Sequence, residues 1–239
     1  MKNNNKKYQP ARCAYAFALW VSFASAAYAA SPALASSSLE LQPVASKEVT
    51  IATAKETAIE APMDGDTLAR VNKALQTMPP LSGRFQQKLP NGSHASGTYA
   101  IDFPDRLRFA YDVGGTSIVT VKGRFVAVQE APGGEANWFP VALTPLAVLR
   151  QAIRDGIRPN MVSGFKLRED NYSLTLHDPS GELPGAAELF FTRKDDRLYA
   201  WRLTDVQNLV TLVRLSEIMT HEALPRSRFD IVEIEEDDY

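Results

Sequence analysis

The chain has almost no cysteine. Its one example, Cys13, lies in an apolar stretch near the first residue. The remainder has neither a disulfide nor thiol chemistry to draw on and must fold on its apolar core alone. Histidine is also scarce. His94, His177 and His221 stand isolated, with no second ligand at i+2, i+3 or i+4, so no metal-site spacing is present. The nucleophile-elbow, zinc-protease, P-loop and dinucleotide patterns are all missing. His177-Asp178, just before Pro179, reads as a solvated polar pair at a turn. Asp64-Gly65-Asp66 is too short for a calcium loop and reads as a helix cap. The expectation is therefore a protein that is not an enzyme and uses neither cofactor nor metal.

An excess of positive charge is lacking as well, with 26 Lys and Arg against 28 Asp and Glu. Four of the basic residues, Lys2, Lys6, Lys7 and Arg12, precede an apolar run from Cys13 to Ala30 that ends in small residues. That is the pattern of a secretory signal peptide, with cleavage expected after Ala29, Ala30 or Ala35. The residues before Cys13 (Gln9, Pro10, Ala11, Arg12) do not form the small, apolar box of a lipidated cysteine. Without those four basic residues the 26 fall to 22 against 28 acids, a formal charge of −6. An acidic exported chain argues against nucleic acid as a partner, because nucleic acids are bound by basic surfaces.

Residues 31–62 contain no aromatic residue and read as a flexible leader, with room for a short strand or helix around Val49-Thr50-Ile51. The division expected is a signal peptide over 1–30, a leader over 31–62 and a single domain over 63–239. Asp66 is a candidate N-cap for a helix carrying Leu68, Val71, Leu75 and Met78, stopped by Pro79-Pro80. Strands alternate after it. Tyr99, Ile101 and Phe103 share one face; Leu107, Phe109 and Tyr111 share another, opposite Arg106 and Arg108. Turns are expected at Pro90-Asn91-Gly92, Pro104-Asp105, Gly114-Gly115 and Lys122-Gly123. Residues 131–140 read as a Gly/Pro-rich loop, with Trp138 and Phe139 either anchoring it or gating a mouth. A second helix opens at Thr144-Pro145, with Leu146, Leu149 and Ile153 on its apolar stripe. Five further strand candidates follow, then a terminal strand around Phe229 and an acidic run, Glu233 to Asp238. Hairpin after hairpin at this spacing predicts an antiparallel meander of about ten strands, an α+β fold that is mainly β. No solenoid repeat is evident.

The order of local strings resembles the outer-membrane lipoprotein carrier family (LolA-like). The strings are a helix, then Phe85-Gln86-Gln87, Gly97 opening SGTYAIDF, FPDRLRFAYD, TVKGRFVAV, Thr144-Pro145-Leu146, the hairpin from Asp205 to Val213, and Phe229. The resemblance implies an incomplete antiparallel β-barrel whose concave side is covered by helices acting as a lid over a hydrophobic cavity. It implies a monomeric periplasmic carrier of lipoprotein acyl chains, loaded by an inner-membrane lipoprotein-releasing transporter and emptied at an outer-membrane acceptor. The alternative is a lipid- or lipoprotein-sensing regulatory module of the same fold. Many family members carry an arginine just before the proline of the FPDRLRF segment, where it helps control the lid. Here that position is Phe103, with Arg106 and Arg108 nearby.

Acyl chains explain why such a carrier is needed. Each buried methylene is worth about 0.8 kcal/mol, so a chain of some fifteen resists leaving a membrane by roughly 12 kcal/mol. An apolar cavity can replace the membrane without catalysis. The candidate lining is Tyr99, Ile101, Leu107, Phe109 and Tyr111 on the early strands, Leu146, Leu149 and Ile153 on the second helix, and Phe191 and Trp201 on the later strands. Periodicity alone leaves each of them equally readable as ordinary core.

Overall fold

The computed structural model describes residues 58–112 and 117–233. The expected signal peptide, most of the expected leader, the expected turn at Gly114-Gly115 and the acidic run beyond Glu233 lie outside the described residues. Twelve strands form one antiparallel sheet: β1 (Ile59–Glu60), β2 (Leu81–Lys88), β3 (His94–Asp102), β4 (Arg106–Tyr111), β5 (Ile118–Lys122), β6 (Phe125–Gln129), β7 (Ala136–Pro140), β8 (Val162–Leu167), β9 (Asn171–His177), β10 (Ala186–Thr192), β11 (Leu198–Thr204) and β12 (Val210–Thr220). Their spatial order is β1-β8-β9-β10-β11-β12-β2-β3-β4-β5-β6-β7. The meander is interrupted twice, where β1 pairs with β8 and where β12 returns to pair with β2. The two ends, β1 and β7, do not pair with each other, so the sheet is curved but unclosed.

The curvature can be gauged from two rings. Trp201 on β11 and Phe109 on β4 are separated by four strand spacings, about 19 Å along a flat sheet. Their ring centroids lie 6.2 Å apart in an edge-to-face pair. Only a sheet folded over on its own concave face brings them together.

Helix α1 (Gly65–Gln76) starts at Asp64 rather than Asp66. The Asp64 carboxylate accepts the Thr67 N–H at 2.6 Å and the Thr67 hydroxyl at 3.0 Å, an N-cap that holds its carboxyl below the usual carboxylate range. Val71 and Leu75 are buried. Helix α2 (Leu146–Asp155) follows Pro145 and ends at Gly156, whose φ of 82° is the left-handed conformation that favours glycine. Asn72 ties the two helices together: its amide donates to the Ile157 carbonyl at 3.0 Å and accepts the Ile157 N–H at 2.7 Å. Arg70 reaches Asp196 at 3.2 Å in the β10–β11 turn, fixing α1 to the opposite wall.

Three expectations are corrected. Residues 131–140 are not all loop, because residues 136–140 form β7, paired with β6 from Gln129↔Ala136 to Phe125↔Pro140. The glycine-rich turn is confined to the residues before it, and Pro140 is tolerated because it ends an edge strand. The twelve strands exceed the ten expected by the two edge strands, β1 and β7. The terminal strand around Phe229 is instead a 3-10 turn (Arg226–Phe229) followed by an extended segment. Phe229 buries its ring on the outer face with Ala100 and Leu224. The chain then crosses successive strands instead of pairing with one. Arg108 on β4 donates to the Asp230 carbonyl at 3.3 Å, Lys122 on β5 meets the Asp230 carboxylate at 2.9 Å, and Gln129 on β6 donates to the Val232 carbonyl at 2.9 Å.

Candidate functional site

Strand alternation decides which side chains face inward. One row runs across the sheet through Gly83, Tyr99, Phe109, Val119 and Val128, and a second through Leu81, Ile101, Leu107, Val121 and Val126. The other half of the sheet contributes Phe165, Leu174, Leu189, Trp201 and Val213. Helix α2 closes over these rows with Leu146, Val148, Leu149, Ala152 and Ile153, which join the same apolar cluster.

The structure brings all ten candidate residues into that cluster. Tyr99, Ile101, Leu107, Phe109, Leu146, Leu149, Ile153, Phe191 and Trp201 are at most 4% exposed, and Tyr111 is half-buried against them. Tyr99 and Phe109 lie 6.4 Å apart. The aromatic members outside the candidate list include Phe85 and Tyr172. Phe85 makes edge contacts with Phe109 at 5.1 Å and Tyr111 at 5.0 Å. Tyr172 stacks on Phe191 at 5.3 Å, with its hydroxyl donating to Asp196 at 2.7 Å. Both carry the period-two signal, with Leu81, Gly83 and Phe85 on β2 and Tyr172, Leu174 and Leu176 on β9.

The polar atoms of this interior are few. The Tyr111 hydroxyl donates to the Gln87 amide oxygen at 2.6 Å, and burial pushes its ionisation well above the usual phenol range. Burial likewise pushes the Tyr99 phenol up, to about 12. The Tyr99 hydroxyl and the Trp201 indole N–H are buried without a hydrogen-bond partner among the described residues. A buried donor left unpaired costs about 1–3 kcal/mol, so such groups ordinarily serve a water, an ion or a ligand.

Where an arginine preceding Pro104 would sit, Phe103 packs against the apolar cluster. Arg106 and Arg108 do not replace it. Arg106 pairs with Asp102 and lies over the Phe229 ring at 5.6 Å, and Arg108 bonds to Thr120 and Asp230, so both serve the outer face. Arg150, on helix α2, donates to the Pro104 carbonyl at 2.9 Å and pairs with Asp105. The helix thus grips the β3–β4 turn with its own guanidinium. The outer face of α2 borders a cleft of about 480 Å³ whose walls include Arg124, Arg150 and Arg154. Trp138 and Phe139 belong to β7. Phe139 packs on the core, and Trp138 is exposed beside Phe125, their centroids 6.4 Å apart. No helix among the described residues is long and apolar enough to cross a membrane.

None of the curated proteins matches the chain. Among solved structures it is similar to a conserved protein from Thermus thermophilus, at 14% identity and a TM-score of 0.42, covering 70% of this chain and 95% of that one. It is also similar to a LolA superfamily protein from Nitrosomonas europaea, at 11% identity and a TM-score of 0.38, covering 71% and 98%. A third similarity is to the MucA/MucB complex of Pseudomonas aeruginosa, at 12% identity and a TM-score of 0.38, covering 69% of this chain and 59% of that one. The sequence profile of the outer membrane lipoprotein carrier protein LolA matches residues 76–232. The chain belongs to the LolA family of outer membrane lipoprotein carrier proteins.

Proposed function

We propose that this protein is a periplasmic carrier that takes lipoprotein acyl chains into the concave interior of its half-barrel and releases them at the outer membrane. The ten residues from Tyr99 to Trp201 named above form the lining, with Phe85 and Tyr172 added. Membership of the family supports this reading, and one observation carries it further. In an interior faced mainly with apolar side chains, two donors, Tyr99 Oη–H and Trp201 Nε1–H, lack partners among the described residues. An acylated cargo brings ester and amide carbonyls on the ends of its apolar chains, which are the acceptors these donors lack. Loading comes from an inner-membrane transporter and unloading goes to an outer-membrane acceptor. Arg150 and its grip on Pro104 hold helix α2 shut between the two events.

The test is Tyr99→Phe. The expected stability is unchanged or slightly raised, because the substitution deletes an unpaired buried hydroxyl and little volume. Affinity for a fluorescent fatty-acyl ester should fall about fivefold, the worth of one hydrogen bond of about 1 kcal/mol. A melt that weakens while probe binding stays at the wild-type level would make the hydroxyl a structural group. Absence of acyl binding by the wild-type chain would remove the carrier reading altogether.

A further inference from the structure

The chain carries a net negative charge, yet one corner of its outer sheet face presents cations. Arg202 on β11, Leu212 on β12 and Lys88 on β2 stand side by side in register. Trp201, Val213 and Gln87 take the alternate, inward positions, so this row faces out. Arg214, two positions along β12, lies on the same outer side and is exposed. Lys88 and Arg202 share a hollow of about 500 Å³ with Pro90, Leu209, Val210 and Leu212, and no carboxylate lines it among the described residues.

The acids nearest this corner are turned inward. Glu188 is 6% exposed and gives its two oxygens to Arg202 and Ser173. Asp205 is also 6% exposed, and its carboxylate accepts the Gln207 and Leu209 N–H groups, each at 2.8 Å. The exposed Lys88 has no carboxylate partner among the described residues.

The β11–β12 turn stands at the lip of the hollow and is apolar. Val206 is 73% exposed, Leu209 37% and Val210 38%. Apolar side chains grouped at a tip beside cations are a pattern of surfaces that meet membranes or partners. Backbone groups left unpaired would oppose entry into lipid. This turn pairs its own. Besides the two bonds to the Asp205 carboxylate, the Asn208 N–H donates to the Asp205 carbonyl at 3.0 Å, and the Asp205 N–H donates to the Leu209 carbonyl at 3.1 Å.

We propose that this corner docks on a lipid surface bearing anionic phospholipid headgroups. Val206 and Leu209 enter the headgroup–acyl boundary, and lipid phosphates sit over the hollow at Lys88 and Arg202, with Arg214 adding to the same field. The charge selects this occupant: a second copy of the chain, docked by the same patch, would set cations against cations. The inference is independent of what the interior binds.

The test uses a polarity-sensitive dye on the cysteine of Gln207→Cys, in the full chain carrying Cys13→Ser. The dye reports this turn and not attachment through the N-terminal apolar run. Vesicles of phosphatidylcholine with phosphatidylglycerol should shift its emission to the blue, and vesicles of phosphatidylcholine alone should not. A dye on Lys194→Cys, in the turn at the other end of β11, should shift with neither. In the chain labelled at position 207, Lys88→Ala should raise the lipid concentration needed for half the shift about fivefold. Val206→Ser should raise it about tenfold, and added salt should raise it too. Positions 88 and 206 are exposed, so an unchanged melt identifies both variants as folded. The proposal is overturned by no shift with the anionic vesicles, by an equal shift with phosphatidylcholine alone, or by indifference to either substitution. A shift that grows with protein concentration in the absence of lipid overturns it in favour of a second copy.

Discussion

Gly97→Ala should destabilise the protein by about 3 kcal/mol or more, at the upper end of what overpacking costs. Gly97 sits on β3 opposite Phe85 on β2 and Tyr111 on β4. A Cβ there would lie 2.0 Å from the Ala110 carbonyl oxygen and 2.7 Å from Cε1 of Phe85. The second contact can be relieved by moving a ring. The first cannot, because Ala110 is held in the β4 ladder against Ile118. The Phe85 ring occupies the space that a side chain at position 97 would take, and from there it reaches Phe109 and Tyr111. The Phe-Gln string and the strand-opening glycine, twelve residues apart in the sequence, are thus two halves of one contact. Gly65→Ala makes the opposite case. Nothing lies within 4 Å of the added atom, and the site is the first residue of α1, so the change should be neutral or stabilise by up to about 1 kcal/mol. Urea melts of the two variants compare the same chemical change in both settings. Similar midpoints for both would mean that β3 and β4 separate easily and that the interior wall is soft.

Leu149→Ser should reduce affinity for an acyl probe by at least about tenfold, while costing less stability than the roughly 2–5 kcal/mol lost when a packed core leucine is truncated. Leu149 is fully buried on the inner face of α2, within the cluster that holds Phe109. If α2 is a lid over an acyl site, a hydroxyl on its inner face opposes ligand more than it opposes folding. The helix is also anchored elsewhere, by Arg150 at Pro104 and by Asn72 at Ile157. Phe109→Ser should be non-additive with it, since residues sharing one cavity couple by about 0.5–3 kcal/mol. The readout is a denaturant melt beside a fluorescent acyl titration for both single variants and the double. A collapse of stability with normal probe binding by the folded remainder would make Leu149 part of a filled core and move the site elsewhere.

Much of this interior is legible in the sequence. Alternation in Leu107-Phe109-Tyr111 and Tyr99-Ile101 identifies the inward faces of β3 and β4, because period-two burial is a local property of a strand. The stripe Leu146-Leu149-Ile153 does the same for α2. Turn chemistry locates hairpins such as the one at Gly123, whose φ of 60° lies where glycine is favoured. What escapes is non-local. That Phe109 touches Trp201, 92 positions later, follows from the summed curl of the sheet, and no window of sequence carries it. The Arg150–Pro104 contact spans 46 positions, and no local pattern carries it. Strand β7 is hidden by the Gly/Pro-rich turn leading into it. The final segment has apolar spacing that fits a strand, but Phe229 buries its ring on the outer face, and the hydrogen bonds of Asp230 and Val232 carry the chain across the ladder. Phe85 and Tyr172 show the same alternation as the strands that are easiest to read, but glycine at position 83 and serine at position 173 break the regularity around them.

The carrier account reduces to one claim, that acyl chains enter the space beside Trp201. The chain has three tryptophans, Trp20, Trp138 and Trp201. With Trp20→Phe and Trp138→Phe, and excitation beyond the tyrosine absorption band, Trp201 alone fluoresces. Acyl chains brominated near their middle quench a tryptophan only on contact. The measurement is the emission of this variant titrated with a brominated fatty-acyl ester, with the unbrominated ester as control and binding followed separately by calorimetry. The account predicts strong, saturable quenching by the brominated ester at the concentration where heat is evolved, and none by the control. Binding heat without quenching of Trp201 would place the acyl chain outside the half-barrel and contradict the account.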